Sequence, residues 1–572
     1  MDYRAEYQRW LTEFQGDAEA MADLAAIAGD EAEIQDRFYA PLHFGTAGMR
    51  GVMGFGPNRM NRYTVRRAAA ALGRHVAAQP GYADRGVAIA YDSRRNSAAF
   101  ALEAATTLAA GGVRAHLFPS LRPVPVLSFA VRHLGAAAGI VITASHNPPQ
   151  YNGFKAYWED GGQMPPERAG EIQRLMSALT DAEARPMDED AARAAGLLVG
   201  VPAEVDDAYM AAVKSLAIDR ALMREMGGRL SIVYTPLNGA GNLPVRRMLR
   251  DMGFTKVHVV PEQELPDPDF TTVGVPNPEE PAAFELALKL REQLGADLVF
   301  GTDPDCDRVG IAVLDGDGAP RILSGNQIGC LLLHYVLSRK AALGTLPGNA
   351  AAVKSIVSTE MARAIGADFG VPVFDVLTGF KYIAEKIQEF ENTGSHTFVF
   401  GFEESCGYLS GTDVRDKDGV NASMLIAEAA AYYKKRGMTL HNAMEELSRR
   451  YGYHGEKVVS VTLPGRDGLE KSSRIMKSLR NTPPGAIAGR AVTAVRDYLT
   501  GLRTDAGGRS DMGLPRSDVM YFELAGNAWA CVRPSGTEPK IKLYVNAVAP
   551  TEARLSPLLD EIAREGARLL KA

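Results

Sequence analysis

Four short polar segments each follow directly on an apolar, β-rich run, and their residue types could carry chemistry. In chain order they are 143–149, 301–308, 400–408 and 533–540. In α/β domains, sites collect where strands end, at the carboxyl edge of the sheet. These four segments are therefore the candidate functional loops.

The first loop, Thr-Ala-Ser-His-Asn-Pro-Pro, offers Ser145 as a nucleophile. Pro148 and Pro149 prevent the chain from continuing as a strand or helix, so the polar residues before them sit on a turn. A hydrolase elbow needs glycine on both sides of the serine, which this loop lacks. The adjacent His146 is weak evidence for a base, because triads converge from separate loops. A turn whose Ser and Asn bond local backbone is the alternative.

The second loop carries Asp303, Asp305 and Asp307. In an extended backbone alternate side chains point the same way, so the three carboxylates could converge. They would repel one another unless a divalent cation neutralised them. An EF-hand is disfavoured, since Arg308 and Leu314 stand where it needs Gly and Glu. Oxygen ligands favour Mg²⁺ where phosphate shares the site, and a solvated acidic turn is the alternative.

The third loop places Glu403, Glu404 and Ser405 beside glycines. Paired acids and a hydroxyl can hydrogen-bond the neighbouring hydroxyls of a sugar, while glycine lets the backbone come close. An exposed acidic turn would have the same composition.

The fourth loop combines the guanidinium of Arg533 with Ser535, Gly536 and Thr537. A planar donor fork, two hydroxyls and a relaxed backbone are typical of a phosphate site. The loop is not a Walker A sequence, and a plain turn is the alternative.

Composition sets the frame for these loops. The chain has 572 residues, 46% hydrophobic and 23% charged, which indicates an ordinary folded protein of several domains. A net charge of −6 argues against nucleic-acid binding. No apolar run is long enough for a membrane helix and no secretion signal is evident, so we expect a cytoplasmic protein without membrane contact. The four scattered cysteines are expected to be reduced thiols: Cys306, Cys330, Cys406 and Cys531.

Alternating β-rich runs and longer helical segments predict α/β units. Strands are expected at 87–91, 139–142 and 230–234, and helices at 64–78, 97–110, 167–179, 206–216, 281–294 and 422–436. We interpret 180–205 as a connector, 314–318 as a hairpin turn and 451–456 as another break. Four domains are predicted: 1–205, 206–325, 326–452 and 453–572. The glycines at 238–242 only partly resemble a dinucleotide fingerprint, because Pro244 stands at the third glycine position.

A nucleophile, a carboxylate clamp, a hydroxyl-reading acid pair and a phosphate cradle together imply phosphoryl transfer on a sugar. Through 143–148, 301–308, 403–407 and 533–539 the sequence resembles the α-D-phosphohexomutase family over essentially its whole length. The segments 148–152 and 159–163 look more like the bacterial phosphoglucomutases grouped with phosphopentomutase-like relatives. The resemblance implies three mixed α/β sandwich domains and a smaller C-terminal α+β domain around a central cleft.

The resemblance also assigns roles, residue by residue. Ser145 would be the phosphorylated serine, and one of its phosphate oxygens would join Asp303, Asp305 and Asp307 around one Mg²⁺. The remaining catalytic candidates are His146, Lys155, Arg50 and Lys417. The substrate-binding candidates are Thr378, Gly379, Lys381, Glu403, Ser405, Arg308, Arg533, Ser535, Gly536 and Thr537.

The implied activity is an isomerase-class intramolecular phosphotransfer between glucose 1-phosphate and glucose 6-phosphate. It would pass through a phosphoserine and glucose 1,6-bisphosphate, which also serves as activator, and closure of the fourth domain would exclude water. Gly407 stands where one branch of the family has a histidine, and Lys417 is the candidate substitute for it. Pentose, deoxypentose or mannose phosphates, a Mg²⁺-dependent phosphatase and a non-catalytic sensor are the alternatives. Partners are sugar phosphates; the chain could be a monomer or a dimer.

Overall fold

The computed structural model describes residues 2–45, 48–463, 468–534 and 540–571. Its α-helices, in chain order, are α1 (Tyr3–Glu13), α2 (Ala18–Ala26), α3 (Glu31–Phe38), α4 (Arg62–Ala77), α5 (Tyr82–Arg85), α6 (Ser97–Ala110), α7 (Val124–His133), α8 (Pro166–Ala178), α9 (Glu189–Ala194), α10 (Glu204–Ser215), α11 (Arg220–Met226), α12 (Asn242–Asp251), α13 (Pro261–Glu264), α14 (Glu285–Leu294), α15 (Gly325–Ala342), α16 (Met361–Asp368), α17 (Phe380–Thr393), α18 (Gly419–Lys435), α19 (Leu440–Tyr451), α20 (Gly468–Asn481) and α21 (Glu552–Arg568). Short 3₁₀ turns cover Pro281–Phe284 and Leu569–Lys571.

The strands lie between these helices and crowd together near the C-terminus. In chain order they are β1 (Met49–Val52), β2 (Val87–Tyr91), β3 (Ala115–Leu117), β4 (Ala138–Ile142), β5 (Tyr151–Trp158), β6 (Leu198–Gly200), β7 (Ser231–Thr235), β8 (Lys256–Val259), β9 (Leu298–Thr302), β10 (Val309–Leu314), β11 (Pro320–Ile322), β12 (Ala350–Ser355), β13 (Val373–Val376), β14 (Thr397–Glu403), β15 (Gly407–Leu409), β16 (Tyr453–Thr462), β17 (Ala486–Ile487), β18 (Arg490–Asp497), β19 (Leu502–Asp505), β20 (Gly508–Asp511), β21 (Met520–Leu524), β22 (Ala528–Pro534) and β23 (Lys540–Ala549).

The chain forms two compact units. Unit one comprises Met1–Leu323 and Cys406–Arg436, and unit two comprises Ser324–Ser405 and Gly437–Ala572. Unit one therefore contains β15 and α18, and α18 packs there against α11 and α12. Among the described residues, no helix has the length and hydropathy needed to cross a membrane.

Unit one is built on two mixed sheets. The first has the strand order β1-β5-β4-β2-β3-β6, and the second has the order β11-β10-β9-β7-β8. In both, the central strands are parallel and one side is completed by antiparallel strands. Strands such as β4 are buried on both faces, which is why their sequences are continuous apolar runs. Both loops that carry Ser145 and the three aspartates follow such strands.

Unit two contains a parallel group of strands and an antiparallel sheet. Strand β12 lies between β13 and β14, parallel to both. The C-terminal sheet runs β16-β23-β22-β21-β18-β19-β20, with β17 beside β18. An apolar cluster joins the two parts of this unit, and its members include Ile356, Leu377, Tyr498, Tyr521 and Trp529.

The predicted elements are largely confirmed, with shifts of a few residues at their ends. The predicted helix 281–294 begins as a 3₁₀ turn before α14, and the 314–318 hairpin joins β10 to β11. The interpretation of 180–205 as a connector was wrong. This segment contains α9 and β6, and β6 extends the first sheet beside β3. A three-residue strand pairs through its backbone, so an Ala- and acid-rich composition does not reveal it.

Candidate functional site

Ser145 lies on the turn that follows β4, with only 3% of its surface exposed. Its backbone has φ +53°, a left-handed conformation that is uncommon for a residue with a side chain and that clusters at functional sites. The Ser145 amide donates to Thr143 Oγ1 at 2.8 Å, and the Ser145 hydroxyl donates to Asp303 Oδ2 at 2.8 Å. The loop thus directs the hydroxyl at the aspartate cluster.

The three aspartates lie together between β9 and β10, all buried. They offer carboxylate oxygens that lie within 4.8 Å of one another. The reason given from sequence was wrong, because 303–308 is a turn and not an extended strand. Asp303 Oδ1 closes that turn by accepting hydrogen bonds from the amides of Asp307 at 3.1 Å and Arg308 at 3.0 Å. Cys306, at φ +52°, completes the reversal.

The donor set of this cluster fits a hard divalent cation. Within the described part of the chain, Asp305 Oδ1 and Asp307 Oδ1 are buried and have no hydrogen-bonding partner. Burial raises the pKa of the Asp303 carboxyl well above its usual range, and the two neighbouring carboxylates raise it further. Buried oxygens without donors, in a cluster that repels itself, are what a bound cation would satisfy. The triad could therefore bind a metal.

Two lysines border the same carboxylates. Lys155, on β5, lies 2.7 Å from Asp305 Oδ2 and 3.1 Å from Asp307 Oδ2. Lys417 lies 3.2 Å from Asp307 Oδ2 and 3.1 Å from Asp416 Oδ1. Burial opposes a charge on Lys155, but Asp305 and Asp307 outweigh it and raise its pKa. The structure thus brings both predicted lysines to the aspartate cluster.

Gly407 is explained by the position of Lys417. A Cβ atom built on Gly407 would lie 2.2 Å from Lys417 Cδ and 2.7 Å from Lys417 Cγ. Real Cβ atoms do not approach other heavy atoms this closely, so a side chain at 407 and Lys417 in its present place exclude each other. The glycine at 407, where one branch of the family has a histidine, therefore leaves the space that the Lys417 side chain occupies.

Asp416 contacts Lys417 through both the ammonium group and the backbone amide. The Asp416 Oδ2 atom accepts hydrogen bonds from Tyr157 Oη and Gln163 Nε2, both at 2.9 Å. Its other oxygen accepts from the amide of Lys417 at 2.8 Å. Sequence reasoning did not select Asp416, although it stands in the same segment as Lys417.

The remaining candidates of unit one lie on or beside the serine and aspartate loops. His146 Nδ1 lies 3.1 Å from Ser145 Oγ, and burial, with Arg308 and Arg50, lowers the pKa of His146 well below its usual value. Arg50, on β1, donates to Asn147 Oδ1 at 2.8 Å. Arg308 pairs with Glu279 at 2.6 Å. All three cationic or aromatic side chains therefore border the serine and aspartate loops.

In unit two, the predicted sugar-binding residues lie where β13 and β14 end. Glu403 is buried, and its Oε1 accepts from the amide of Gly379 at 2.7 Å. Among the described residues, the buried Thr378 hydroxyl has no hydrogen-bonding partner. Lys381 lies at the start of α17, where burial lowers its pKa and Arg533 adds to the effect. Ser405 is partly exposed.

Glu404 faces the end of the neighbouring strand. Its Oε2 accepts from the buried Ser355 Oγ at 2.9 Å, and Ser355 Oγ lies 2.9 Å from Ser358 Oγ. Of the two consecutive acids of the third loop, Glu403 is thus bonded to the segment after β13 and Glu404 to the end of β12.

Arg533 lies near the end of β22, opposite Lys542 of β23. The other members of the predicted phosphate cradle, Ser535, Gly536 and Thr537, lie outside the described residues. Their assignment stays a prediction.

Sequence reasoning missed Asp92 and Arg94, which support the serine loop. Asp92 Oδ2 accepts from Thr143 Oγ1 at 2.6 Å, and Arg94 Nη2 donates to the Ser145 carbonyl at 2.6 Å. The sequence did offer a signal for them, because polar residues that follow an apolar strand were the criterion for the four candidate loops, and both residues follow β2.

The glycine-rich segment 238–242 has a packing role that its resemblance to a dinucleotide fingerprint did not suggest. A Cβ on Gly239 would lie 2.6 Å from Pro304 Cα, and one on Gly241 would lie 2.7 Å from Thr302 Oγ1. Glycine thus lets the start of α12 approach the aspartate loop. A nicotinamide site is not needed to explain these residues.

Comparison with known families decides the wider assignment. Four family models match in order: phosphoglucomutase/phosphomannomutase alpha/beta/alpha domain I at 41–183, domain II at 207–316, domain III at 324–451 and the C-terminal domain at 503–565. The chain belongs to the phosphoglucomutase/phosphomannomutase family. It is accordingly an isomerase-class phosphotransferase with the four-domain phosphohexomutase architecture.

Relatives in this family cover nearly the whole chain. A phosphoglucomutase of Staphylococcus aureus (strain bovine RF122 / ET3-1) is 37% identical over 525 residues, which are 91% of this chain and 92% of the relative. A phosphoglucomutase of Staphylococcus epidermidis is 36% identical over 520 residues, 90% of this chain and 92% of the relative.

Solved structures agree with the fold. A Thermus thermophilus protein assigned as a phosphomannomutase is 26% identical with a TM-score of 0.69, covering 93% of this chain and 100% of that one. The parafusin phosphoglucomutase of Paramecium, 16% identical with a TM-score of 0.66, covers 92% of this chain and 94% of that one, and so shares the fold.

Proposed function

We propose that this enzyme interconverts glucose 1-phosphate and glucose 6-phosphate through a phosphorylated Ser145. The observation that carries the proposal is the Ser145 hydroxyl, held at φ +53° and 2.8 Å from Asp303 within a buried cluster of three carboxylates. The relatives named phosphoglucomutase at 36–37% identity support glucose phosphates as the substrates. Sugar phosphates are accordingly the proposed small-molecule partners.

Each transfer breaks one bond to phosphorus and forms another. The bond between Ser145 Oγ and phosphorus breaks while the free 6-hydroxyl of glucose 1-phosphate bonds to the same phosphorus, and glucose 1,6-bisphosphate results. The 6-hydroxyl loses a proton as Ser145 Oγ gains one, and Lys155 and Lys417 are the two amines at the cluster that would relay it: Lys155, whose pKa is raised, would first give a proton to the departing Ser145 oxygen and then take one from the hydroxyl. After the bisphosphate turns over, Ser145 Oγ bonds to the phosphorus at C1 while the bond from that phosphorus to the sugar O1 breaks; O1 takes the serine proton, and glucose 6-phosphate is released. A serine fixed before substrate arrives favours this exchange, because positioning supplies much of the rate of phosphoryl transfer.

Asp303, Asp305 and Asp307 would hold one Mg²⁺, since oxygen donors beside a phosphate favour this ion. When bound, the ion neutralises negative charge that develops on the transferring group. Three further side chains on or beside the serine and aspartate loops would bind or orient the phosphoryl group: Arg50, Arg308 and His146.

In unit two, Glu403, Ser405, Thr378, Gly379 and Lys381 would bind the sugar. The Thr378 hydroxyl, which has no partner within the described ranges, and the acceptor oxygens of Glu403 suit vicinal hydroxyl groups. Arg533, with Ser535, Gly536 and Thr537, would bind the phosphate that does not react. The domain division 1–205, 206–325, 326–452 and 453–572 belongs to the same proposal.

The test combines intact mass with a coupled assay. Wild-type protein should carry a phosphate-sized mass increment that Ser145→Ala lacks, and only wild type should convert glucose 1-phosphate into glucose 6-phosphate. Ser405→Ala is the matched serine control and should keep the increment. Release of inorganic phosphate without isomerisation would favour a phosphatase, and faster turnover of ribose or mannose phosphates would replace glucose as the substrate.

A further inference from the structure

Arg94 is a buried arginine whose guanidinium donates mainly to backbone carbonyls. It is 3% exposed and follows β2. Its Nη1 donates to the carbonyls of Pro148 at 2.9 Å and Tyr151 at 3.2 Å, and its Nη2 donates to the carbonyls of Ser145 at 2.6 Å and Asn147. One side chain therefore hydrogen-bonds four backbone carbonyls of the segment 145–151, which contains the proposed nucleophile.

Asp92 fixes the other side of this arginine. The Asp92 carboxylate lies 3.3 Å from Arg94 Nε, and both side chains are fully buried. The same carboxylate accepts from Ser97 Oγ at 2.7 Å and from Thr143 Oγ1 at 2.6 Å. Thr143 Oγ1 in turn accepts from the Ser145 amide. Asp92 and Arg94 thus hold the loop by its side-chain and carbonyl groups together.

Phe270 covers the face of the guanidinium. Its ring centroid lies 5.0 Å from Arg94 Cζ, a cation–π distance. Phe270 is fully buried and has φ +46°, which is an outlier for a bulky residue. The next arginine, Arg95, pairs with Asp269 at 2.5 Å and holds the same 269–270 segment. A strained aromatic residue kept in place by its surroundings points to a defined task.

We propose that Arg94, fixed by Asp92 and Phe270, is a positioning residue that holds Ser145 in its left-handed conformation for phosphoryl transfer. The left-handed backbone is unfavourable for serine, so an outside restraint is needed to keep it populated. A forked donor can restrain four carbonyls at once, whereas a lysine ammonium is a point donor. This inference rests on the proposed function.

The experiment compares Arg94→Lys with wild type in two measurements. The first is steady-state kinetics with glucose 1-phosphate, in which we expect kcat to fall about 10- to 100-fold while KM changes by less than about twofold. The second is the rate at which glucose 1,6-bisphosphate phosphorylates dephosphorylated enzyme, followed by intact mass, which should fall by the same factor. Arg94→Ala should regain part of that rate when methylguanidinium is added.

Arg59→Lys is the matched control. Arg59 is also a buried arginine, 6% exposed, but it pairs with Glu33 and Asp36. The Arg59→Lys substitution should lower Tm without changing kcat. If Arg94→Lys lowers Tm but leaves kcat and the phosphorylation rate unchanged, Arg94 is merely structural and the proposal fails. A rise in KM alone would make Arg94 a substrate-binding residue and would also overturn it.

Phe270→Leu keeps the test decisive if the arginine variants do not fold. Leucine retains apolar volume but removes the ring face, so kcat should fall about 3- to 10-fold, by analogy with small misplacements of catalytic groups. An unchanged kcat in this variant would contradict the proposal. Wild-type enzyme without mutase activity would instead refute the proposed function, so the two failures are distinguishable.

Discussion

The serine and aspartate loops of unit one differ from the loops at the ends of β13 and β14 in unit two. In unit one, the Ser145 hydroxyl and amide already have partners, and a network of buried side chains fixes the turn. In unit two, the Thr378 hydroxyl has no partner among the described residues, and Ser405 is partly exposed. Groups that break and form bonds gain from being fixed in advance, whereas groups that recognise a substrate need unused donors and acceptors.

The largest expected effect comes from Asp305→Asn. Removing one carboxylate charge weakens cation binding where charge develops, so kcat should fall about 10²- to 10³-fold with a much smaller change in KM. Steady-state kinetics at saturating Mg²⁺ measure this. Asp317→Asn, on the exposed turn between β10 and β11, should leave both constants unchanged. A change confined to KM would remove the distinction between the two regions.

Gly407→Ala tests whether Lys417 must keep its place. The new methyl would lie 2.2 Å from Lys417 Cδ, so the lysine must move away from Asp307. We expect kcat to fall about 10- to 100-fold, the range for losing a positioned acid–base group. Gly170→Ala is the control, because its new methyl would meet no described atom within 4 Å beyond its chain neighbours and the backbone of its own helix, α8. Equal kcat values in the two variants would show that the position of Lys417 is unimportant.

Glu403→Gln should act on substrate binding instead. The amide keeps the shape of the side chain but loses charge-assisted hydrogen bonds, so KM should rise about tenfold while kcat changes little. Kinetics with glucose 1-phosphate measure the effect, and Glu389→Gln on α17 is the exposed control. A fall in kcat at constant KM would place Glu403 with the reacting groups.

The smallest effect concerns stability. Burial raises the pKa of Asp418 to about 6, although the carboxylate accepts from Tyr209 Oη and caps α18. Because the folded pKa lies above the unfolded value of about 3.9, protonation stabilises the fold, and this contribution is lost as pH rises from about 4 to 6. Asp418→Asn keeps the cap, so its Tm relative to wild type should rise by a few degrees across that window and stay constant above it.

Differential scanning calorimetry at several pH values checks this last prediction. Thr439→Ala is the control: it removes an N-cap hydroxyl of α19 that does not titrate, so its Tm difference should not vary over the same window. If the Tm difference between Asp418→Asn and wild type also stays constant with pH, the charged carboxylate of Asp418 does not destabilise the fold and the prediction is wrong.

Much of the fold and of the site could be predicted from sequence. The buried strands are apolar runs, the helices show periodic patterns, and the loops of the site follow strands, as 143–149 follows β4. Strand β6 could not be predicted, because three residues pair through backbone atoms that every residue has. Arg94 follows the apolar strand β2, but the sequence does not indicate its role, because its partners are mainly backbone carbonyl groups, which every residue has.

The sequence alone determined the kinds of groups present: a serine, three acids two residues apart and the lysines at 155 and 417. Their types and spacing are local properties, which can be read directly from the amino-acid sequence. Only the tertiary structure decided that Lys417 occupies the space left by Gly407 and that Asp92, Arg94 and Phe270 close around the serine loop. Those arrangements join residues far apart in the chain, and only close packing determines which atoms can share the space.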